Sequence, residues 1–307
     1  MKEDARAGAV LLQRDPALRR ARAADRAATV IFYGVSGFFV CLLAAFTAYV
    51  LAGGIRAWSP DMFSFSGDGV GSQLFNTVYL VFLSLLISVP LGISAGIYMS
   101  EYAPAGALTS MLRIAIETLS SLPSIVVGLF GYLVFIIMTG SQWNLFAGAM
   151  AVSILSLPLI TTVTYDAFQA LPQGYKNGSL ALGATHWETI WHVMLPASVG
   201  PVMTGVILAA GRGFGEAAAL LYTAGMSTDI SWDVWDVTAP TSPFNPFRPG
   251  ETLSLQVWAS RTEAVSASAS DTAAFASAVL MMMVLAFSIG ARLLSRRLTR
   301  KTGGEHS

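Results

Sequence analysis

The sequence predicts an all-α integral membrane protein of six transmembrane helices. Three observations carry that prediction. The chain is 54% hydrophobic and only 12% charged, against about 25% charged in soluble domains. Its mean hydropathy is +0.61. Its apolar residues also fall in unbroken runs long enough to cross about 30 Å of hydrocarbon, unlike the short alternating segments of a β-barrel.

Asp, Glu, Lys and Arg are absent from residues 27–55, 69–100, 118–165, 189–211 and 272–291. The polar, Arg- and Ala-rich residues 1–27 are too long a lead for a secretory signal, so the first run reads as an uncleaved span at 28–54 behind a short tail. The second span is 74–99. The third run is roughly twice the length a crossing needs. It is interrupted by the polar turn cluster Thr139-Gly140-Ser141-Gln142-Trp143-Asn144, which divides it into spans at 120–139 and 145–165. The fifth span, 196–225, takes Arg212 and Glu216 into the membrane. The sixth is 272–294, which completes a membrane domain of residues 28–296 before a tail of 297–307. Between the fifth and sixth spans, 226–271 carries Asp229, Asp233, Asp236, Glu251, Glu263 and Asp271. Its Trp232, Trp235 and Trp258, with Pro240, Pro243, Pro246 and Pro249, predict a folded cap.

Lys and Arg set the orientation. The N-terminal tail holds Lys2, Arg6, Arg14, Arg19, Arg20, Arg22 and Arg26, and the C-terminal tail Arg292, Arg296, Arg297, Arg300 and Lys301. Six spans put both tails on one side, and the bias makes it cytoplasmic. Arg113 and Lys176 then lie in inward loops, leaving Arg56, Arg248 and Arg261 outside.

Composition and spacing argue against several functions, an intramembrane hydrolase among them. Net charge is zero at pH 7, so no basic surface invites nucleic acid. Cys41, the only cysteine, rules out an intrachain disulfide or a cysteine metal cluster. Gly211-Arg212-Gly213-Phe214-Gly215 lacks the strand that a dinucleotide loop follows. Gly34-Val35-Ser36-Gly37 imitates an intramembrane serine protease, but that hydrolase chemistry needs a general base, and His186, His192 and His306 all fall outside the spans. His186, Glu188 and His192 lack metalloprotease spacing. None of Lys2, Lys176 and Lys301 follows a Gly-rich phosphate loop, so an ATPase driving this chain would be a separate subunit. No cofactor is implied.

The inward loop 166–195 predicts a short helix, a break at Gly183 and a second helix ending at Pro196. Trp187, Ile190, Trp191 and Met194 recur at helical spacing, which by composition alone fits an interfacial helix anchored by tryptophans. Its spacing resembles the ATPase-coupling loop of binding-protein-dependent ABC permeases: Glu-Ala-Ala, three residues, Gly, nine residues, an aliphatic, one residue, Leu-Pro. Gly183, Val193, Leu195 and Pro196 occupy matching positions, while Asn177-Gly178-Ser179 replaces the Glu-Ala-Ala triad and its acidic anchor. The resemblance implies a loop that docks into a groove on the ATPase.

A charge at mid-membrane costs about 2.5 kcal/mol or more, so Arg212 and Glu216 need partners. Four residues apart, they share a face of a continuous helix. They form either a structural ion pair or an anion relay. In the relay, the arginine fork receives an oxyanion and Glu216 holds that fork when no anion is present. A carboxylate can also accept a proton from hydrogen phosphate, which sulfate cannot offer.

Arg212-Gly-Phe-Gly-Glu216-Ala-Ala-Ala-Leu-Leu-Tyr222-Thr-Ala-Gly225 is similar to the fifth-span segment of phosphate-transport permeases of the PstA type, whose usual form is Arg-Ala-x-Gly-Glu-Thr-Ala-Pro-Leu-Leu-Phe. Ala217 and Ala219 stand where Thr and Pro are common. Residues 76–103 and 121–132, with Pro123 and Gly128, resemble the second and third spans of those permeases. Pro123 would break the helix on the cytoplasmic side and Gly128 would let helices approach closely. The resemblance implies a type I ABC importer permease (MetI-like) fold and phosphate import across a bacterial inner membrane, with sulfate or molybdate as alternative cargo. It also implies a second related permease subunit, a dimer of ATP-binding subunits, an extracytoplasmic phosphate-binding protein and a phosphate-signalling regulator as partners.

Overall fold

In a computed structural model, residues 16–65, 69–103, 106–227, 229–262 and 269–303 are described. Lys2, Arg6, Arg14, Glu263 and His306, which enter the expectations above, lie outside them. The described residues are all helix, turn and irregular chain. Met1–Ala52 and Gly53–Ser307 form two compact units.

Helix α1, Pro16–Arg56, begins well before the apolar run it contains. The Ala- and Arg-rich residues ahead of that run are strong helix formers, so the helix extends into the segment expected to be a tail. α2, Gly71–Ile97, ends in a wide π turn, Tyr98–Tyr102. α3, Ala107–Ser121, and α4, Ser124–Tyr132, meet at 98°. Leu122 and Pro123 are extended there, because proline drives the residue before it out of the helical region. α4 continues as a π turn, Leu133–Ile137. The rise from Ser124 to Ile137 is about 20 Å, short of a full crossing, and α3 and α4 have the length and apolarity of a span only when taken together as a bent pair.

α5, Leu145–Gln169, is opened by Asn144, whose side chain accepts a hydrogen bond from the Ala147 N–H. This asparagine ends the polar cluster that interrupts the long apolar run. α6, Gln173–Ala181, and α7, His186–Thr189, flank Gly183. A π turn, Ile190–Met194, leads into α8, Leu195–Gly215. The helix expected to end at Pro196 instead continues through it. Proline lacks only an N–H that the first turn of a helix can forgo, and the preceding wide turn reshapes the hydrogen bonding there. α9 is Ala218–Thr223, α10 Leu253–Thr262 and α11 Ala269–Gly303.

Among the described residues five helices are long and apolar enough to cross a membrane, or six if the bent α3–α4 pair is one span. The centre of the second unit is the seam between α2 and α5. Leu80, Leu145, Ala149, Val152 and Leu220 are buried together there, and Ser153 on α5 donates to the Ser84 carbonyl on α2 at 3.0 Å. Phe214 and Phe287 join α8 to α11 edge to face at 5.1 Å.

Candidate functional site

The fifth predicted span, 196–225, is broken where the spacing places an ion pair. α8 ends at Gly215, Glu216 is extended with ψ 124°, and α9 starts two residues later. Gly211, Gly213 and Gly215 weaken the helix just ahead of the break. Arg212 and Glu216 therefore do not share a face of one helix.

Their partners differ. Glu216 is 8% exposed, and its Oε1 accepts a hydrogen bond from the Ala219 N–H at 3.1 Å. That N–H belongs to the first turn of α9, where backbone donors have no helical partner. The Glu216 carbonyl also accepts from the Ser254 hydroxyl on α10. Arg212 is exposed, and its Nη1 reaches the Leu155 carbonyl of α5 at 3.4 Å. No ion pair joins the two among the described residues. The carboxylate expected to hold the arginine fork instead caps the next helix.

A break of this kind within a membrane span is tolerated only where the backbone is buried in protein or lines a watery cavity. The first condition applies. Ala219 is buried against α4 at Gly128, where an added Cβ would lie 2.7 Å from the Ala219 Cα, so only glycine fits. Arg212 occupies the last turn of α8, where the free carbonyls favour a cation, and its guanidinium reaches the carbonyl of Leu155, a residue packed with Ala219. The arrangement offers a planar cationic fork at a discontinuity in a span, which is suited to an oxyanion.

The segment 166–195 forms a second candidate site. Asn177, Gly178 and Ser179 lie on α6, with Asn177 and Gly178 exposed. The Ser179 and Thr189 hydroxyls pair at 3.0 Å across the turn. Gly183 has φ +88°, a left-handed conformation that glycine adopts without strain. Thr185 opens α7 with a capping box in which its hydroxyl and the Glu188 side chain each satisfy the other residue's backbone N–H. Val193 closes the π turn beside buried Ile190 and Met194, and Leu195 packs on the cluster formed by Phe168, Ile190 and Met194. Leu195 and Pro196 thus root the loop in α8. Leu182 is 91% exposed, and Trp187 and Trp191 are also largely exposed, so the loop presents an apolar surface outward.

Sequence spacing missed two clusters. At the C-terminal end of α2, Glu101 receives the Lys176 ammonium of α6 at 2.7 Å. Near the N-terminal end of α2, Arg248 is 2% exposed. It donates to the Ser242, Pro243 and Pro249 carbonyls and, at 2.6 Å, to Asn76 Oδ1. Burial lowers its pKa to about 10, so it remains a cation at neutral pH. Gln73 Nε2 donates to the nearby Glu251 carboxylate at 3.0 Å. The one local signal was Glu101, the first charge after the apolar run 69–100.

Residues 88–302 match the family described as "Binding-protein-dependent transport system inner membrane component". The chain is 39% identical over 284 residues to the probable ABC transporter permease protein YqgI of Bacillus subtilis, covering 90% of this chain and 97% of that one. It is 32% identical over 205 residues to the phosphate transport system permease protein PstA of Haemophilus influenzae, covering 64% of this chain and 71% of the relative. Among solved structures, a chain of a bacterial alginate ABC transporter in complex with an alginate-bound periplasmic protein superimposes with a TM-score of 0.65 at 16% identity, covering 92% of this chain and 98% of that one. That last likeness speaks for the fold.

Proposed function

Because the chain belongs to the family of binding-protein-dependent transport system inner membrane components, we propose that it is the phosphate-conducting permease subunit of an ATP-driven importer. Both tails are cytoplasmic in this reading, the loop 166–195 faces an ATPase dimer, and 226–271 faces an extracytoplasmic phosphate-binding protein. A second, related permease completes the pathway, and the ATP-hydrolysing residues belong to the partner chains.

One observation supports phosphate over an uncharged cargo: the exposed Arg212 guanidinium at the break between α8 and α9, set apart from the Glu216 carboxylate that already serves α9. A fork with open N–H donors can take two oxygens of a tetrahedral oxyanion. The likeness to PstA relatives adds the phosphate assignment. Arg212 would be the waypoint, and alternating access would move the anion past it.

The test is uptake by the complex purified with its partners and reconstituted in vesicles. Arg212→Gln is expected to abolish phosphate uptake with subunit stoichiometry unchanged, and Arg212→Lys to retain a fraction of it. Phosphate presented on the binding protein should stimulate ATP hydrolysis where sulfate and molybdate do not. Wild-type uptake by Arg212→Gln removes the waypoint, and stimulation by sulfate or molybdate alone reassigns the cargo.

A further inference from the structure

The family's coupling-loop pattern begins with an acidic residue, and this loop carries Asn177 in its place. The structure supplies a carboxylate from elsewhere. Glu101 closes the π turn at the inner end of α2, and its side chain is 5% exposed. Its Oε2 accepts from Lys176 Nζ at 2.7 Å and lies 3.7 Å from His186 Nε2. Its Oε1 accepts from the Ser100 hydroxyl at 3.2 Å, which in turn accepts from Gln169 Nε2 at the end of α5. The Tyr102 ring meets the His186 ring edge to face at 5.1 Å.

Lys176 is on α6 and His186 on α7, so one carboxylate bonds the first half of the loop and lies 3.7 Å from a ring nitrogen of the second, on either side of Gly183. A Cβ placed on Gly183 would meet nothing within 4 Å, so the turn itself is not braced by packing there. The Lys176–Glu101 bond is short and charge-assisted, and such bonds are about twice as strong as neutral ones. Glu101 is enclosed while Lys176 stays one-third exposed, so removing the ammonium strands the carboxylate.

We propose that Glu101 is the positioning residue that transmits movement of the loop to the second membrane helix, acting through Lys176 and His186. A push on α6 or α7 would reach α2 directly through this carboxylate, in addition to reaching α8 through Leu195 and Pro196. The inference rests on reading residues 166–195 as the surface that meets the ATPase.

The experiment measures phosphate uptake and ATP hydrolysis side by side in the reconstituted complex. Glu101→Gln is expected to lower uptake per ATP hydrolysed about fivefold or more, the low end for coupling between two sites. Hydrolysis should persist. The charge-swapped pair Glu101→Lys with Lys176→Glu should restore the ratio, while either reversal alone should not. That rescue separates transmission from simple structural support, and it also decides the case if Glu101→Gln assembles poorly. Leu182→Asp tests the underlying reading by itself, since it alters only the exposed tip and should release the ATPase. If Leu182→Asp keeps the ATPase bound, the docking reading falls and the inference falls with it. If Leu182→Asp releases the ATPase but Glu101→Gln keeps the wild-type ratio, or the swapped pair assembles without rescue, only the role of Glu101 is overturned.

Discussion

Glu216 and Arg212 stand four residues apart but bind different groups, and this makes their substitutions separable. The Glu216 carboxylate accepts the Ala219 N–H, a service that a carboxamide oxygen can also perform. Glu216→Gln is therefore expected to keep both assembly and most phosphate uptake. Glu216→Ala loses the acceptor and should destabilise the chain by about 0.5–2 kcal/mol, the usual cost of a lost helix cap. Thermal unfolding of the detergent-solubilised complex measures the second effect, and vesicle uptake the first. If Glu216→Gln were as inactive as Arg212→Gln, the negative charge itself would be needed, and a proton-accepting role would return.

At the scale of elements, the outer loop is held by short turns. In one of them Asp236 Oδ1 accepts from the Thr238 N–H at 2.9 Å and from the Thr238 hydroxyl at 2.8 Å. These bonds favour the ionised carboxylate and hold its pKa below the ordinary value, the backbone N–H contributing most. A depressed carboxylate pKa stabilises the turn above the unfolded value and ceases to do so as pH falls through the folded one. Protection of the Thr238 amide, corrected for intrinsic exchange, should thus be constant from neutral pH down to the ordinary carboxylate range and decline in stronger acid. Asp236→Asn keeps an acceptor but does not titrate, so its protection should lose this pH dependence. Unchanged acid sensitivity in Asp236→Asn would assign the effect to another group. The same scale shows where sequence reading succeeds and where it stops. Apolar runs and the Thr139–Asn144 interruption were legible because hydropathy and turn chemistry are local. The break after Gly215 was not, because i to i+4 spacing presumes a continuous helix, although three alternating glycines were visible. Lys176 and Glu101 are 75 residues apart, and no spacing rule reports a contact of that range.

At the scale of the whole second unit, residues 242–253 close the ends of several membrane helices. Leu145 and Phe146 begin α5, and their N–H groups, without helical acceptors, donate to the Arg248 and Pro246 carbonyls at 3.0 and 2.8 Å. The Gly250 N–H donates to the Ala224 carbonyl just beyond α9 at 2.9 Å, and the Leu253 N–H to the Thr77 hydroxyl on α2 at 2.9 Å. Arg248 sits at the centre of these ties and fixes the turn 242–249 against Asn76. Its burial was not legible from the sequence, where it was one of three outward cations. A buried arginine bonded to four neutral oxygens contributes geometry more than charge, since each N–H fills an acceptor that would otherwise be stranded at about 1–3 kcal/mol. Arg248→Met retains the bulk but leaves Asn76 Oδ1 and the carbonyls unpaired, so it should lower the unfolding temperature of the complex and open 226–262 to protease. Arg248→Lys keeps the charge, but its single ammonium cannot span all four acceptors, and an intermediate loss is expected. The ties act on α2, α5 and α9 together, so the same variant should also weaken the packing of α9 on α4 near Gly128. Disulfide trapping between cysteines placed on those two helices reads that effect, and trapping as efficient as in the parent, in a complex of unaltered unfolding temperature, would mean the loop is a passive cover.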